Sequence, residues 1–170
     1  DLVKTDTGTA NIDVGHGNMG GGTLNLGSDV AANGGTLAGT VTVGEYGTVN
    51  VNGAQYNVEG TVNVNGGAVN VNDGATLNVS EVALDGEANV NVAGTMNVDT
   101  LTSSADSVIA VGNDQSAGNM SIGSLSLGGG MMILDPDWVD GVGIEGASQV
   151  GIASWTSGAI DGTLAGVRNS

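Results

Sequence analysis

The sequence predicts an all-β fold, a parallel β-helix (solenoid) with three short strands per coil of about 20 residues. The first observation is a phrase of three residues, an aliphatic residue, a small polar residue and another aliphatic residue, which recurs between residues 40 and 98. Its copies are Val41-Thr42-Val43, Val49-Asn50-Val51, Tyr56-Asn57-Val58, Val62-Asn63-Val64, Val69-Asn70-Val71, Leu77-Asn78-Val79, Val82-Ala83-Leu84, Val90-Asn91-Val92 and Met96-Asn97-Val98.

The second observation is the spacing of these phrases. Single steps between their middle residues vary from five to eight residues, but the sum over three steps is steady: 21 from 42 to 63, 20 from 50 to 70, and 21 from 70 to 91. A steady sum over three steps indicates three strands per turn of a solenoid. An antiparallel sandwich of hairpins is the alternative, because Asn-Gly and Asp-Gly pairs also suit hairpin turns, but a sandwich has no reason to keep the sum.

The alternation within each phrase predicts which side chains face the core. Successive side chains of a strand point to opposite faces, so the two aliphatic residues share one face and the middle residue takes the other. We therefore expect the aliphatic residues to point inward and to stack from coil to coil, with Asn or Thr facing water. Turn residues such as Asn52-Gly53 and Asp85-Gly86 fill the gaps, since Gly and Asn tolerate the left-handed backbone of tight corners.

The whole chain, residues 1–170, is predicted to form a single β-helix segment of a longer protein. Residues 1–35 hold irregular first coils, residues 36–101 form the regular array, and residues 102–170 form looser coils. No stretch shows the three- and four-residue spacing of a helix, and no linker divides the chain.

Charge and composition exclude several classes of function. With two Lys or Arg against 18 Asp or Glu, the formal net charge is −16, which excludes a basic groove for nucleic acid. We expect the acids to favour solubility and to oppose self-association at low salt. No apolar run is long enough to span a bilayer, so direct membrane insertion by this segment is not expected. The chain has no cysteine, so its stability must come from stacking between coils.

Several segments resemble the passenger domains of bacterial autotransporters (type V secretion). The opening Leu2–Ile12 is similar to the Lys-Thr-Gly-x-Gly-Thr-Leu-x-Leu phrase of those passengers, with Asp6 and Ala10 in place of Gly and Leu, and the array at 61–67 and the segment from 134 to 170 also resemble them. The resemblance implies a right-handed β-helix on the bacterial cell surface or released from it, anchored through a membrane barrel outside this sequence. Large adhesins that are secreted by the two-partner route share the same β-helical architecture and are an alternative family.

The resemblance and the array together lead us to expect a non-catalytic rod that mediates adhesion or cell–cell self-association. Its partners would be host or bacterial surface glycans or proteins, including the same protein on a neighbouring cell, and no cofactor is expected. The candidate contact surface consists of the outward asparagines, which can form polar ribbons. These are Asn50, Asn63, Asn70, Asn78, Asn91 and Asn97. A passive stalk that presents a binding domain elsewhere in the parent protein is the alternative.

Other apparent motifs do not predict a binding or catalytic site. Gly15–Gly20 matches a dinucleotide fingerprint, but that motif requires a following helix, and more glycines follow here instead. His16 is the only histidine, so neither a catalytic triad nor a histidine metal site can form around it. Three nearby acids, Asp135, Asp137 and Asp140, lack the spacing of a calcium loop, and an Asp-Pro turn explains them.

Three further functions are set against the adhesive rod. Trp138 and Trp155 would be glycan platforms if they were exposed, although core or cap positions suit them equally. A β-helical polysaccharide-active enzyme would need a basic residue or a carboxylate pair in an aromatic-lined cleft, and this chain has four aromatic residues and only Lys4 and Arg168 as cations. An ice-binding solenoid would show Thr ladders, whereas the middle position here is mostly Asn.

Overall fold

The computed structural model is an all-β solenoid of parallel strands with about five turns. It describes residues 10–15, 21–27, 34–113, 115–134 and 148–161, and these residues contain no helix. Every strand pair among them is parallel, which confirms the predicted β-helix and excludes the antiparallel sandwich. The right-handed winding stays a prediction.

The described residues form twelve strands, and the longest are the last three. They are β1 (Ala10–Val14), β2 (Gly22–Leu26), β3 (Gly35–Leu37), β4 (Gly39–Val43), β5 (Gly47–Val51), β6 (Gln55–Asn65), β7 (Ala68–Val71), β8 (Thr76–Asp85), β9 (Asn89–Val92), β10 (Thr95–Val111), β11 (Asn119–Leu134) and β12 (Gln149–Asp161). The longer strands are bent, so that one strand supplies two or three segments of a coil, and each segment pairs with a different stack of neighbours.

Strand pairing defines three faces, which each coil visits in the order 1, 2, 3. Face 1 consists of β3 and residues 55–58, 76–79, 95–98, 119–122 and 149–152. Face 2 consists of β1, β4 and residues 61–65, 81–85, 100–103, 124–127 and 154–157. Face 3 consists of β2, β5, β7, β9 and residues 108–111, 131–134 and 159–161.

The aliphatic residues of the repeated phrase form the core, as the alternation predicts. Seventeen of them are buried: Val41, Val43, Val49, Val51, Val58, Val62, Val64, Val69, Val71, Leu77, Val79, Val82, Leu84, Val90, Val92, Met96 and Val98. Tyr56 is the exception, being half-buried against this core. The inward stacks run coil to coil, so each coil buries its apolar surface against its neighbours rather than within itself.

The coil length of about 20 residues is confirmed for the regular array. Val41, Val62 and Val82 pair in register at intervals of 21 and 20 residues, and Leu101 follows after 19. The next intervals on face 2 grow to 24 residues at Leu125 and 30 at Trp155. Strand pairing nevertheless continues on all three faces, from β10 to β11 and from β11 to β12.

One inward position of face 2 is polar. Ser103 pairs in register with Leu84 and Leu127, and it is buried together with Ser107 at the corner that follows. Both hydroxyls donate to the carbonyl oxygen of Ser104, over 2.9 and 3.0 Å. The buried hydroxyls are therefore satisfied by the backbone of the corner they enclose. The polarity of residues 102–106 suggests a loop, but these residues are part of β10.

Candidate interaction surface

The six candidate asparagines all occupy outward middle positions, but they lie on three different faces. Asn50, Asn70 and Asn91 share face 3, whereas Asn78 and Asn97 share face 1. Asn63 lies on face 2, paired in register with Thr42 and Ala83. The sequence identified the outward positions, but only the strand register shows which of them are neighbours.

On face 3, four asparagines form a continuous hydrogen-bonded ladder along the rod. The Nδ2 of Asn50 donates to Oδ1 of Asn25 over 2.9 Å, and Asn70 donates in the same way to Asn50 over 2.8 Å. Asn91 donates to Asn70 over 2.8 Å. Because Ala110 takes the next position in register, no amide is available there to continue the ladder.

Face 1 carries a second ladder with the same polarity. Asn78 donates to Oδ1 of Asn57 and Asn97 donates to Oδ1 of Asn78, each over 2.7 Å. Nδ2 of Asn57 in turn donates to Oγ1 of Thr36 over 3.4 Å. At the corner between faces 3 and 1, Nδ2 of Asn72 also donates to Oδ1 of Asn52, over 2.6 Å.

The ladders use only part of the hydrogen-bonding capacity of each amide. A side-chain amide has two N–H donors and an oxygen with two lone pairs, and an internal ladder position uses one N–H and one lone pair. The second N–H and the second lone pair of the internal amides Asn50, Asn70 and Asn78 remain for water or a partner, whereas Oδ1 of Asn57 also accepts from Nε2 of Gln55 over 3.4 Å. Asn91 is exposed, and the other five candidates are half-buried, so these groups are accessible at the surface.

The described acids are concentrated on one side of the rod. Glu81 and Asp85 lie on face 2, and Glu59 and Asp99 lie at its border with face 1. Glu45, Glu87 and Asp106 lie at its border with face 3. Asp73, between faces 3 and 1, is the one described acid with a defined side chain outside this group.

Faces 1 and 3 form a wide, largely neutral side in a chain of net charge −16, with Asp73 at the corner between them and Asp161 in the last segment of face 3. Their described strand segments from β2 and β3 through residues 119–122 and 131–134 contain no Asp, Glu, Lys or Arg. We call faces 1 and 3 the neutral side, and face 2 with its two borders the acidic side. Both basic residues of the chain, Lys4 and Arg168, lie outside the described residues.

Asp85 is held as a carboxylate on the acidic side. The Ser104 hydroxyl of the next coil donates to its Oδ1 and lowers the pKa of Asp85, and the Gly86 N–H, at 2.9 Å, lowers it further. Hydrogen bonds to the ionised form favour that form. Asp85 is therefore suited to remain charged rather than to donate a proton.

An open cleft of about 450 Å³ lies on the acidic side. Its lining residues are Glu45, Asn65, Gly66, Asp85, Gly86 and Glu87, none of which is aromatic. The described ranges hold no group of three or more His, Cys, Asp or Glu residues that could bind a metal ion. A glycoside hydrolase needs one carboxyl group as a proton donor, and the lowered pKa of Asp85 is opposite to that requirement.

Several residues singled out in the sequence lie outside the described residues. These are His16, Trp138 and the three acids Asp135, Asp137 and Asp140. Trp155 lies in β12 with its Cα paired to Leu125, but its side chain is outside the described part. In the ranges that the structure describes, no helix is long and apolar enough to cross a membrane.

Sequence reasoning missed a change in chemistry along face 3. The outward positions after Asn89 and Asn91 are Val108 and Ala110, followed in register by Met131 and Ile133. The signal was present in the sequence: 108–111 and 131–134 consist of four apolar residues each, with no polar residue at the middle position. Such a strand must place apolar side chains on both of its faces.

Comparisons with known proteins leave the interpretation to the structure itself. No protein-family model matches the chain, and no match was found among curated proteins or among solved structures.

Proposed function

We propose that this chain is a non-catalytic rod of a bacterial cell surface, part of an autotransporter-type passenger, and that it mediates cell–cell association through its neutral side. The observation that carries the proposal is the separation of charge from the asparagine ladders. Two copies of a chain of net charge −16 repel one another, and contact between their neutral sides places the described acids of face 2 away from the interface.

The ladders suit such a contact in two ways. The amides are fixed by hydrogen bonds along the rod axis, so little side-chain entropy remains to be lost when a partner binds. The internal amides Asn50, Asn70 and Asn78 also keep an N–H and a lone pair, which makes a row of asparagines complementary to another such row. Many weak contacts repeated along parallel rods add through avidity.

A passive stalk is the second candidate, because the same ladders satisfy one another and stiffen the rod without any partner. In that case recognition would lie elsewhere in the parent protein. The two functions differ in whether this segment alone causes association.

The test is to display the chain on a bacterium that does not aggregate, and to mix these cells with differently labelled cells that lack it. We expect clumps made of displaying cells only, at a surface density verified by antibody. Clumps that include the empty cells would instead indicate adhesion to a general surface component. The absence of any clump at that density would contradict the proposal and support the stalk.

A further inference from the structure

Four outward side chains on face 3 form an apolar patch. Val108 pairs in register with Met131, and Ala110 with Ile133, so the four residues occupy a two-by-two block on neighbouring parallel strands. Adjacent strands are about 4.8 Å apart and alternate residues on one face about 7 Å apart, so these side chains are contiguous. We call these four residues the apolar quartet.

The quartet is partly open to solvent. Met131 is 42% exposed, and Val108, Ala110 and Ile133 are half-buried. Among the described residues the other large exposed hydrophobic side chain is Tyr46, which stands alone at the acidic border of faces 2 and 3. A contiguous apolar patch on a polar surface marks an interaction site more often than a single exposed residue does.

We propose that the quartet is a self-association contact, in which the quartet of one chain packs against the quartet of a second copy. This inference rests on the proposed function and identifies the residues of its contact. A two-fold axis through the quartet places like on like, as in most symmetric pairs. The adjoining asparagine ladder of face 3 extends the same neutral surface toward the N-terminal coils.

Charge identifies a second copy as the occupant. Two copies of an anionic chain associate most readily through uncharged side chains, because like charges in contact are costly. The four quartet residues carry no charge, although Asp161 adjoins them on face 3 of the next coil, with its Cα paired to that of Ile133. Glu87 and Asp106 lie on the corner between faces 2 and 3. Pairing through face 3 therefore brings apolar groups together and leaves the acidic side in water.

The size of the patch sets the strength of the contact. The quartet spans three residues along each of two adjacent strands, and its area is far less than the roughly 800 Å² per partner of a standard stable interface. We therefore expect a dilute solution of the chain to remain monomeric, whereas a dense array of rods associates through many such contacts. This is the behaviour required of a cell–cell contact that forms only between crowded surfaces.

The first experiment uses beads densely coated with the chain, with clumping measured by light scattering. Met131→Glu should reduce clumping at least tenfold, and Met131→Leu should retain it, since leucine keeps the apolar surface. Tyr46→Glu is the matched control, because it also replaces an exposed hydrophobic residue with one negative charge, but on the acidic side. Circular dichroism confirms that each variant keeps its β content.

The second experiment uses the absence of cysteine in this chain. Beads carrying Met131→Cys are treated with copper-phenanthroline, which oxidises two nearby thiols to a disulfide, and the chains are analysed by non-reducing electrophoresis. We expect a cross-linked dimer for Met131→Cys and none for Tyr46→Cys.

The outcomes separate this inference from the proposed function. If wild-type beads clump, Met131→Glu clumps equally, and Met131→Cys gives no dimer, the quartet is not the contact, although self-association stands. If neither clumping nor cross-linking occurs with any variant, both are overturned. A dimer formed equally by Tyr46→Cys would mean that proximity on the bead, and not the quartet, causes cross-linking, and this too would overturn the inference.

Discussion

At the scale of single residues, the outward asparagines bond to one another across coils and so couple neighbouring coils outside the core. Asn70 is central to the face 3 ladder, donating to Asn50 and accepting from Asn91. Asn63, by contrast, lies between Thr42 and Ala83, and alanine offers it no amide partner. Equivalent residues of the repeated phrase therefore differ in energy according to their neighbours in the adjacent coils.

This difference predicts unequal effects of two identical substitutions. Asn70→Ala removes two ladder hydrogen bonds, each contributing about 0.5–1.5 kcal/mol, so the free energy of unfolding should fall by about 1–3 kcal/mol. Asn63→Ala should change it by less than about 0.5 kcal/mol, as for an ordinary surface substitution. Urea unfolding measures both values, and equal losses would show that the ladders do not stabilise the fold.

The bond from Ser104 to Asp85 predicts a pH-dependent contribution to stability. Because the pKa of Asp85 in the folded chain lies below the ordinary 3.8, its contribution is present above that pH and is lost as the pH falls through the folded value. Wild type should thus exceed Ser104→Ala in stability at pH 7, and the difference should shrink as the pH falls below about 4. Urea unfolding of both chains across this range checks it, and a difference independent of pH would contradict the role of the carboxylate.

At the scale of elements, β10 and β11 are held together by close packing at the corner of β10 where Ser103 and Ser107 are buried, which we call the serine corner. A Cβ added at Gly130 would overlap Oγ of Ser103 and lie 2.7 Å from the carbonyl oxygen of Ser107. Glycine is required there because no side chain fits between the two strands. Gly151, in contrast, faces open space, with no atom within 4 Å of such a Cβ.

Alanine at these two glycines should therefore have opposite effects. Gly130→Ala overpacks a buried corner and should lower the free energy of unfolding by about 1–3 kcal/mol. Gly151→Ala should be neutral or stabilising by up to about 1 kcal/mol, since glycine in a strand costs conformational entropy. Thermal unfolding followed by circular dichroism compares them, and a tolerated Gly130→Ala would mean that the serine corner is loosely packed.

The strands and the side chains that they bury could be predicted from the sequence, whereas the contacts between coils could not, for a physical reason. The alternation of Val49, Asn50 and Val51 determines which side chains are buried, because a strand has only two faces. Which asparagines meet across coils depends on register, and register depends on corner lengths that vary from coil to coil. The serine corner was missed because Ser103 is a polar residue in an inward stack, satisfied by the Ser104 carbonyl oxygen in a way that no local pattern reveals.

At the scale of the whole molecule, charge and neutral surface are segregated around the rod axis. Association through the neutral side must overcome the repulsion of two chains of net charge −16. Salt weakens that repulsion, since the Debye length falls from about 30 Å at 0.01 M to about 10 Å at 0.1 M. A contact made of ion pairs would respond in the opposite direction.

Clumping of beads coated with the chain should therefore increase with salt. We expect little clumping in 0.01 M sodium chloride and a marked increase at 0.15 M, as repulsion between the acidic sides is screened. Light scattering across a salt titration measures the effect. Clumping that is strongest at the lowest salt would mean that charged groups form the contact.

The most direct test of the central claim adds the same charge to each side of the rod in turn. Thr48→Glu with Asn89→Glu places two acids on face 3, and Thr42→Glu with Thr102→Glu places two on face 2. Each pair changes the net charge from −16 to −18, so repulsion at a distance is matched. Beads carrying the face 3 pair should lose clumping, and beads carrying the face 2 pair should clump like wild type. Equal clumping by the two variants would contradict association through the neutral side.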